Sequence, residues 1–231
     1  MPPKQSPTPA ACILVTGFEP FGGESVNPSW QVARALHGKR VARHVVVAAQ
    51  LPTCFGSSAD LLKALLRKHR PTLVLCLGQA GGRSAISLER IAINIDDARI
   101  ADNAGYQPID CPVRAKGPAA YWSTLPIKAM ALALQQAGIA AEVSQTAGTF
   151  VCNHVFYALM HALRGKAYGS AGGAPVRGGF VHIPFAPEQC VGANLGQPCM
   201  PLEEMVRGVR LALECALTTA QDIKLGAGAE H

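Results

Sequence analysis

Apolar residues recur along this chain in two rhythms. Short, nearly continuous apolar runs fall at 11–17, 41–49, 73–77, 140–144 and 179–184, the length and density of buried strands. Between them, apolar positions return every three or four residues at 27–36, 57–69, 123–136, the segment after Thr149, and 201–223, which is helical spacing. Leu61, Leu62, Leu65 and Leu66 line one side of the second helix, and Val155, Phe156, Leu159, Met160 and Leu163 one side of the fourth. Strands alternating with helices predict an α/β fold: a single-domain open, mainly parallel twisted sheet with helices on both faces.

Punctuation sharpens these boundaries. Asn27-Pro28 reads as a helix cap followed by proline at the first helical position, and Gly38, Gly138 and Gly165 close helices. Residues 87–95 alternate apolar and polar positions. Residues 98–118 carry Pro, Gly and Asp without helical period and read as an irregular excursion or hairpin. Residues 167–178, rich in Gly and Ala, read as a flexible, dispensable surface loop. The domain is expected over 11–223, with a disordered N-terminal extension at 1–10 and a disordered tail at 224–231.

Composition narrows the function class. The chain has 231 residues, 49% hydrophobic and 16% charged, which suits one folded domain with a substantial core. The net charge of +6 is scattered; the one tight cluster, Arg67-Lys68-His69-Arg70, lies at a helix end, where cations complement the dipole. No nucleic-acid partner is expected. No signal peptide or membrane span is read. None of the eight cysteines forms a Cys-x-x-Cys pair or has zinc spacing. The expectation is therefore reduced thiols in a cytoplasmic protein, with no metal and no cofactor.

The candidate chemistry lies at strand ends. In an open α/β sheet, loops at the carboxyl ends of strands gather on one edge, which would assemble 18–23, 78–83, Cys152 and His182. With Thr149 as cap, Cys152 becomes the third residue of its helix, where unpaired N–H groups and the dipole would lower its pKa. The competing reading is a small buried residue, the usual state of free cysteine. His182 and Glu89 both lie in buried-looking strands, so each needs a partner; for Glu89 that could be Arg90. Cys, His and an acid from separate segments can act as nucleophile, base and orienting group. His154, two residues after Cys152 on the same helix, projects elsewhere.

Four stretches carry a more specific signal: 16–23 with 26–30, 89–94 with 97–99, 144–153, and 179–189. Together they resemble the pyroglutamyl-peptidase I, or pyrrolidone-carboxylate peptidase, family of cysteine peptidases. The resemblance implies a catalytic set of Glu89, Cys152 and His182, with Arg99 near the oxyanion. For the pyroglutamyl ring it implies Phe18, Phe21, Asn27, Gln79, Phe150 and Val151. It also implies peptides with N-terminal pyroglutamate as substrates and a homotetramer. Phe18 and Phe21 could instead pack in the core; the Gly and Pro of their loop favour a flat apolar slot. Two rivals remain at this level: another thiol amidase or acyltransferase, such as a glutamine amidohydrolase, and a nucleotide-binding module using the glycines at 22–23 and 78–82. The second is weak, because neither loop matches a phosphate-binding pattern.

Overall fold

The structure, a computed structural model, describes residues 11–165, 168–169 and 174–228. Its elements follow the two apolar rhythms. In order they are β1 (Cys12–Phe18), α1 (Pro28–Leu36), β2 (Arg40–Val41), β3 (His44–Leu51), α2 (Ser57–His69), β4 (Leu73–Gln79), β5 (Ile86–Glu89), β6 (Ile91–Ile93), β7 (Ala120–Trp122), α3 (Ile127–Gln136), β8 (Ala141–Ser144), α4 (Val151–Leu163), β9 (Arg177–Ile183) and α5 (Leu202–Thr218). Seven strands form one sheet in the order β2-β3-β1-β4-β9-β5-β8, and β6 pairs with β7 in a separate two-stranded ribbon.

Strands β3, β1, β4 and β9 run parallel, as expected of a mainly parallel α/β sheet. β5 runs antiparallel to β9, and β8 follows β5. The cause is the short link between β4 and β5. A parallel neighbour needs a crossover of a dozen or more residues, and only residues 80–85 are available. β9 fills the place between them. The sites that face each other therefore do not all come from one carboxyl edge, contrary to the expectation from a uniformly parallel sheet.

Each sheet face carries its own core. Ile13, Val15, Leu75, Leu77, Val181 and Ile183 pack under α1, α3 and α5. Leu14, Phe18, Val74, Cys76 and Phe180 pack under α2 and α4. The alternation of the strands divides them, as a sheet buried on both faces requires.

Several boundaries shift for identifiable reasons. The run at 41–49 is a tight hairpin of β2 and β3, turned at Ala42 with φ of 50°. The helix expected from residue 123 begins at Ile127, because Thr124 is held by Gly178 through hydrogen bonds of 2.8 and 3.0 Å. α5 ends at Thr218, not 223, and Asp222 instead accepts from the N–H groups of Lys128 and Ala129 at 3.1 and 2.9 Å. The alternation at 87–95 divides at Arg90 between the main sheet and the ribbon. Of the expected tail, the Leu225 carbonyl accepts from Lys128 Nζ, and the Ala227 carbonyl from Arg90 and Gln145. The expectations for 1–10, for 229–231 and for residues 167 and 170–173 of the Gly/Ala-rich loop lie outside the described residues.

Candidate active site

The turn before α4 decides where Cys152 goes. Gly148 takes φ of +75°, a left-handed turn that favours glycine. Thr149, expected as the helix cap, spends its hydroxyl on the Asp97 carbonyl at 2.7 Å. Phe150 occupies the cap position in extended conformation, with no side-chain hydrogen bond, and Cys152 becomes the second helical residue. The first returning N–H is that of His154, to the Phe150 carbonyl at 3.2 Å. The N–H groups of Val151, Cys152 and Asn153 thus find no acceptor among the described residues, which leaves donors grouped around the sulfur. The Asn153 side chain clamps this helix start to β6, accepting from Ile93 N–H at 3.0 Å and donating to the Ile93 and Ile95 carbonyls at 2.9 Å.

Two glycines make room for the site. A Cβ at Gly78 would lie 2.9 Å from the Cys152 sulfur and 2.8 Å from the Phe180 ring. Gly78 pairs in register with His182. The thiol therefore sits over β4 at the strand position directly beside His182. At Gly81, a Cβ would collide with the Phe185 ring at 2.3 Å, so the turn at 80–85 can close over that ring only with glycine.

His182 is buried, and its Nδ1 lies 2.7 Å from Glu89 Oε1. Glu89 is fully buried, and the same oxygen accepts from Arg83 Nη1 at 2.7 Å. Arg83 is the cation that sequence reasoning missed; Arg90, the partner considered, turns to the Ala227 carbonyl. The available signal was a lone cation six residues before an acid in an otherwise apolar stretch. The second arm of Arg83 donates to the Thr146 carbonyl at 3.1 Å.

Burial pushes the Cys152 thiol up to about 12, with the Glu89 charge adding to the rise and Arg83 opposing it. This reverses the expected lowering. A helix N-terminus is worth about 0.3–1 kcal/mol, up to ~2 in favourable sites. Burying a thiolate costs more than that. The residue keeps some exposure, which tempers the rise. The thiol therefore rests protonated and needs a base to become a nucleophile.

Beside the start of α4 opens a cavity of about 730 Å³, lined by Phe21, Asp97, Arg99, Ile100, Gly148, Thr149 and Phe150. The Phe21 and Phe150 rings lie 5.9 Å apart, and Phe55, absent from the sequence reading, meets Phe150 edge-on at 5.4 Å. Phe55 sits in the turn before α2, outside any periodic pattern. Phe18 is buried and packs on Phe180, whose ring is 4.9 Å from that of His182. Val151 is wholly buried and offers the site only its backbone. Asn27 caps α1 through Ser29 and donates to the Glu19 carbonyl at 3.1 Å, fixing the loop that carries Phe21. The Gln79 side chain, alternating with Gly78, lies on the opposite face of β4 and accepts from Gln189 at 3.1 Å. Arg99 is exposed in the cavity wall, and Arg83, not Arg99, is the cation acting on Cys152. His154 pairs with Asp96 at 2.8 Å, away from the thiol. Among the described residues, no group of three His, Cys, Asp or Glu side chains is placed to hold a metal ion, and no helix is long and apolar enough to cross a membrane.

Known proteins resemble this chain over nearly its whole length. A family model described as pyroglutamyl peptidase matches residues 11–219. The pyrrolidone-carboxylate peptidase of Cupriavidus pinatubonensis is 56% identical over 219 residues, covering 95% of this chain and 99% of that protein. The protein of the same name from Bacillus cereus is 52% identical over the same shares. The crystal structure of pyroglutamyl peptidase I from Bacillus amyloliquefaciens superposes with a TM-score of 0.88 at 42% identity, over 94% of this chain and 99% of that one. The pyrrolidone carboxyl peptidase of Thermococcus litoralis gives 0.86 at 38% identity, over the same shares. A buried acid–imidazole pair beside a thiol, in a chain matched over nearly its whole length, places this protein in the pyroglutamyl peptidase family of cysteine peptidases, and it is a hydrolase of that kind.

Proposed function

We propose that this enzyme removes N-terminal pyroglutamate from peptides and proteins, with Cys152 as nucleophile, His182 as base and Glu89 as the group that orients His182. The observation that carries this reading is the 2.7 Å pairing of His182 with Glu89 beside the Cys152 sulfur. A carboxylate only accepts, so Nδ1 donates and neutral His182 keeps its lone pair on Nε2. Nε2 takes the Cys152 proton as sulfur bonds to the carbonyl carbon that joins pyroglutamate to the next residue. The carbonyl π electrons move to oxygen. The unpaired N–H groups at the start of α4 stabilise that oxyanion, each worth about 3 kcal/mol in comparable sites. The C–N bond then breaks, the imidazolium gives its proton to the leaving amine, and a thioester remains. Water, deprotonated by His182, hydrolyses it and restores the thiol.

The aromatic walls of Phe21 and Phe150 suit a small flat lactam that lacks a charged amine. The further readings are a cytoplasmic location, supported by eight free thiols, and a homotetramer, supported by family resemblance. Exposed Ile100, Tyr106 and Ile109, all on the 98–118 excursion, offer apolar contacts to a second copy. Pyroglutamyl-coumarylamide tests the activity, with glutamine as the parallel substrate. Release of the fluorophore by the wild type and not by Cys152→Ala supports the assignment. Glutamine hydrolysis alone would replace it with the amidase reading. Light scattering showing a monomer at working concentration would refute the tetramer.

A further inference from the structure

We infer that Arg83 is a positioning residue for this reaction: its two-armed contact holds Glu89 against His182 and ties that acid to the turn that delivers Cys152. The inference rests on the roles proposed above for Cys152, His182 and Glu89.

Glu89 is wholly buried, and an unpaired carboxylate there would be strongly destabilising. Both its donors, His182 Nδ1 and Arg83 Nη1, lie at 2.7 Å from the single oxygen Oε1. Oε2 is buried with no hydrogen-bond partner among the described residues. Among the described residues, both hydrogen bonds to the acid therefore go to the oxygen that also fixes His182, and Arg83 supplies the permanent positive charge. A swing of the carboxylate that satisfied Oε2 would break both contacts at once.

The second arm sets Arg83 apart from a simple counter-ion. Nη2 donates to the Thr146 carbonyl at 3.1 Å, in the 145–150 turn that ends at the start of α4. One planar side chain thus spans the acid's strand and the nucleophile's turn. A lysine could keep the charge but not both arms in that fixed geometry.

The charge also reaches the sulfur. Around Cys152 stand Cys76 on β4, Glu89 on β5, Arg83 from the 80–85 turn and His182 on β9, with the N-terminal amides of α4 beneath. Glu89 opposes a thiolate there and Arg83 favours it. Without Arg83, only the imidazolium formed on His182 would offset the negative charge of Glu89 at the developing thiolate.

The test compares wild type, Arg83→Met and Arg83→Lys as full-length chains, with circular dichroism confirming the fold. Turnover and KM on pyroglutamyl-coumarylamide are read beside the pH dependence of Cys152 alkylation by iodoacetamide. For Arg83→Met, turnover should fall about a hundredfold with KM within about threefold, since the loss lies in the transition state. Its alkylation midpoint should rise by about half a pH unit or more, because a cation near the thiolate is gone. Arg83→Lys should recover about tenfold of the turnover and most of the midpoint. A folded Arg83→Met with turnover within threefold of wild type, or with an unshifted alkylation midpoint, overturns the inference. If Arg83→Met does not fold, Arg83→Lys decides: full wild-type turnover overturns the two-armed role, and a loss of several-fold at unchanged KM supports it. Alkylation needs no substrate, so it still tests Arg83 if the wild type cleaves no pyroglutamyl bond and the functional reading fails.

Discussion

Glu89 and His182 meet oxygen to nitrogen at 2.7 Å across 93 residues of chain, with both side chains buried. The pair fixes the imidazole tautomer and leaves Nε2 free to take a proton. Glu89→Gln keeps the shape and an acceptor but removes the charge that supports the imidazolium. Turnover should drop about a hundredfold or more, with KM for the pyroglutamyl substrate within a few-fold. Glu89→Ala should be worse, because the ring is then free to turn. Steady-state kinetics on both variants check this; unchanged turnover in Glu89→Gln would take the charge out of the mechanism.

The notch at Gly78 makes a stricter demand. An added methyl group would press on the Phe180 ring at 2.8 Å and on the sulfur at 2.9 Å. Gly78→Ala should cost about 1–3 kcal/mol in a denaturant melt, the usual cost of overpacking. It should also slow Cys152 alkylation, as the sulfur is pushed from its place. A variant of unchanged stability and reactivity would show that the notch yields easily.

Two acid–imidazole pairs flank α4, and they should respond differently to mutation. His182→Ala should abolish most turnover. His154 bridges Asp96, at 2.8 Å, and the Gly56 N–H, at 3.2 Å. The other Asp96 oxygen is buried and already has no partner among the described residues. His154→Ala should therefore cost about 2–4 kcal/mol in stability by stranding the acid, with turnover largely retained at low temperature. Equal turnover losses in two well-folded variants would mean that the base is misassigned.

Cys76 makes stability depend on alkaline pH. Its thiol is wholly buried, and burial pushes it up to about 12 from 9.0. The folded state holds this proton more tightly than the unfolded chain. The contribution is thus complete below pH 9 and is lost as pH rises from 9 toward 12. The slope for one thiol is at most about 1.4 kcal/mol per pH unit. Melts of wild type and Cys76→Ala at pH 8, 9.5 and 10.5 should show the wild type declining more steeply. Parallel curves would contradict the assignment.

Asp222 caps α3 from 93 and 94 residues away, since Pro126 at the cap position offers no side-chain bond. The contact is exposed. Asp222→Ala should cost about 0.5–1 kcal/mol, with kinetics untouched. A thermal melt and one activity assay decide it.

The sequence made the layered α/β fold legible because buried strands and amphipathic helices differ in period, and each helix had a readable start or stop. Glu89 and His182 could be singled out because polar groups stood in apolar surroundings, and Cys152 because it followed a Gly turn at a helix start. What escaped depends on three-dimensional partners. The reversal of β5 follows from a six-residue link whose meaning appears only once β9 has a place. The rise of the Cys152 pKa comes from neighbours on β4 and β5, while the sequence displayed only the helix start. Arg83, Phe55 and the clamp by Asn153 carried no periodic signal. Phe18 and Gln79 show the converse: motif membership did not reveal that Phe18 packs on Phe180, or that Gln79 faces away from the thiol.

The position of β9 bears on how the enzyme is born. β4 and β5 are neighbours in sequence but not in the sheet, and the strand between them, β9, comes last among the described strands. Until β9 has left the ribosome, the strands made earlier form two separate pieces, and Glu89 has no His182 to meet. Such long-range closure is slow compared with local folding. A nascent or truncated chain ending before β9 therefore carries Glu89 and Cys152 without His182. On the roles proposed above, such a chain would be an inert thiol, and peptidase activity would wait for the insertion of β9.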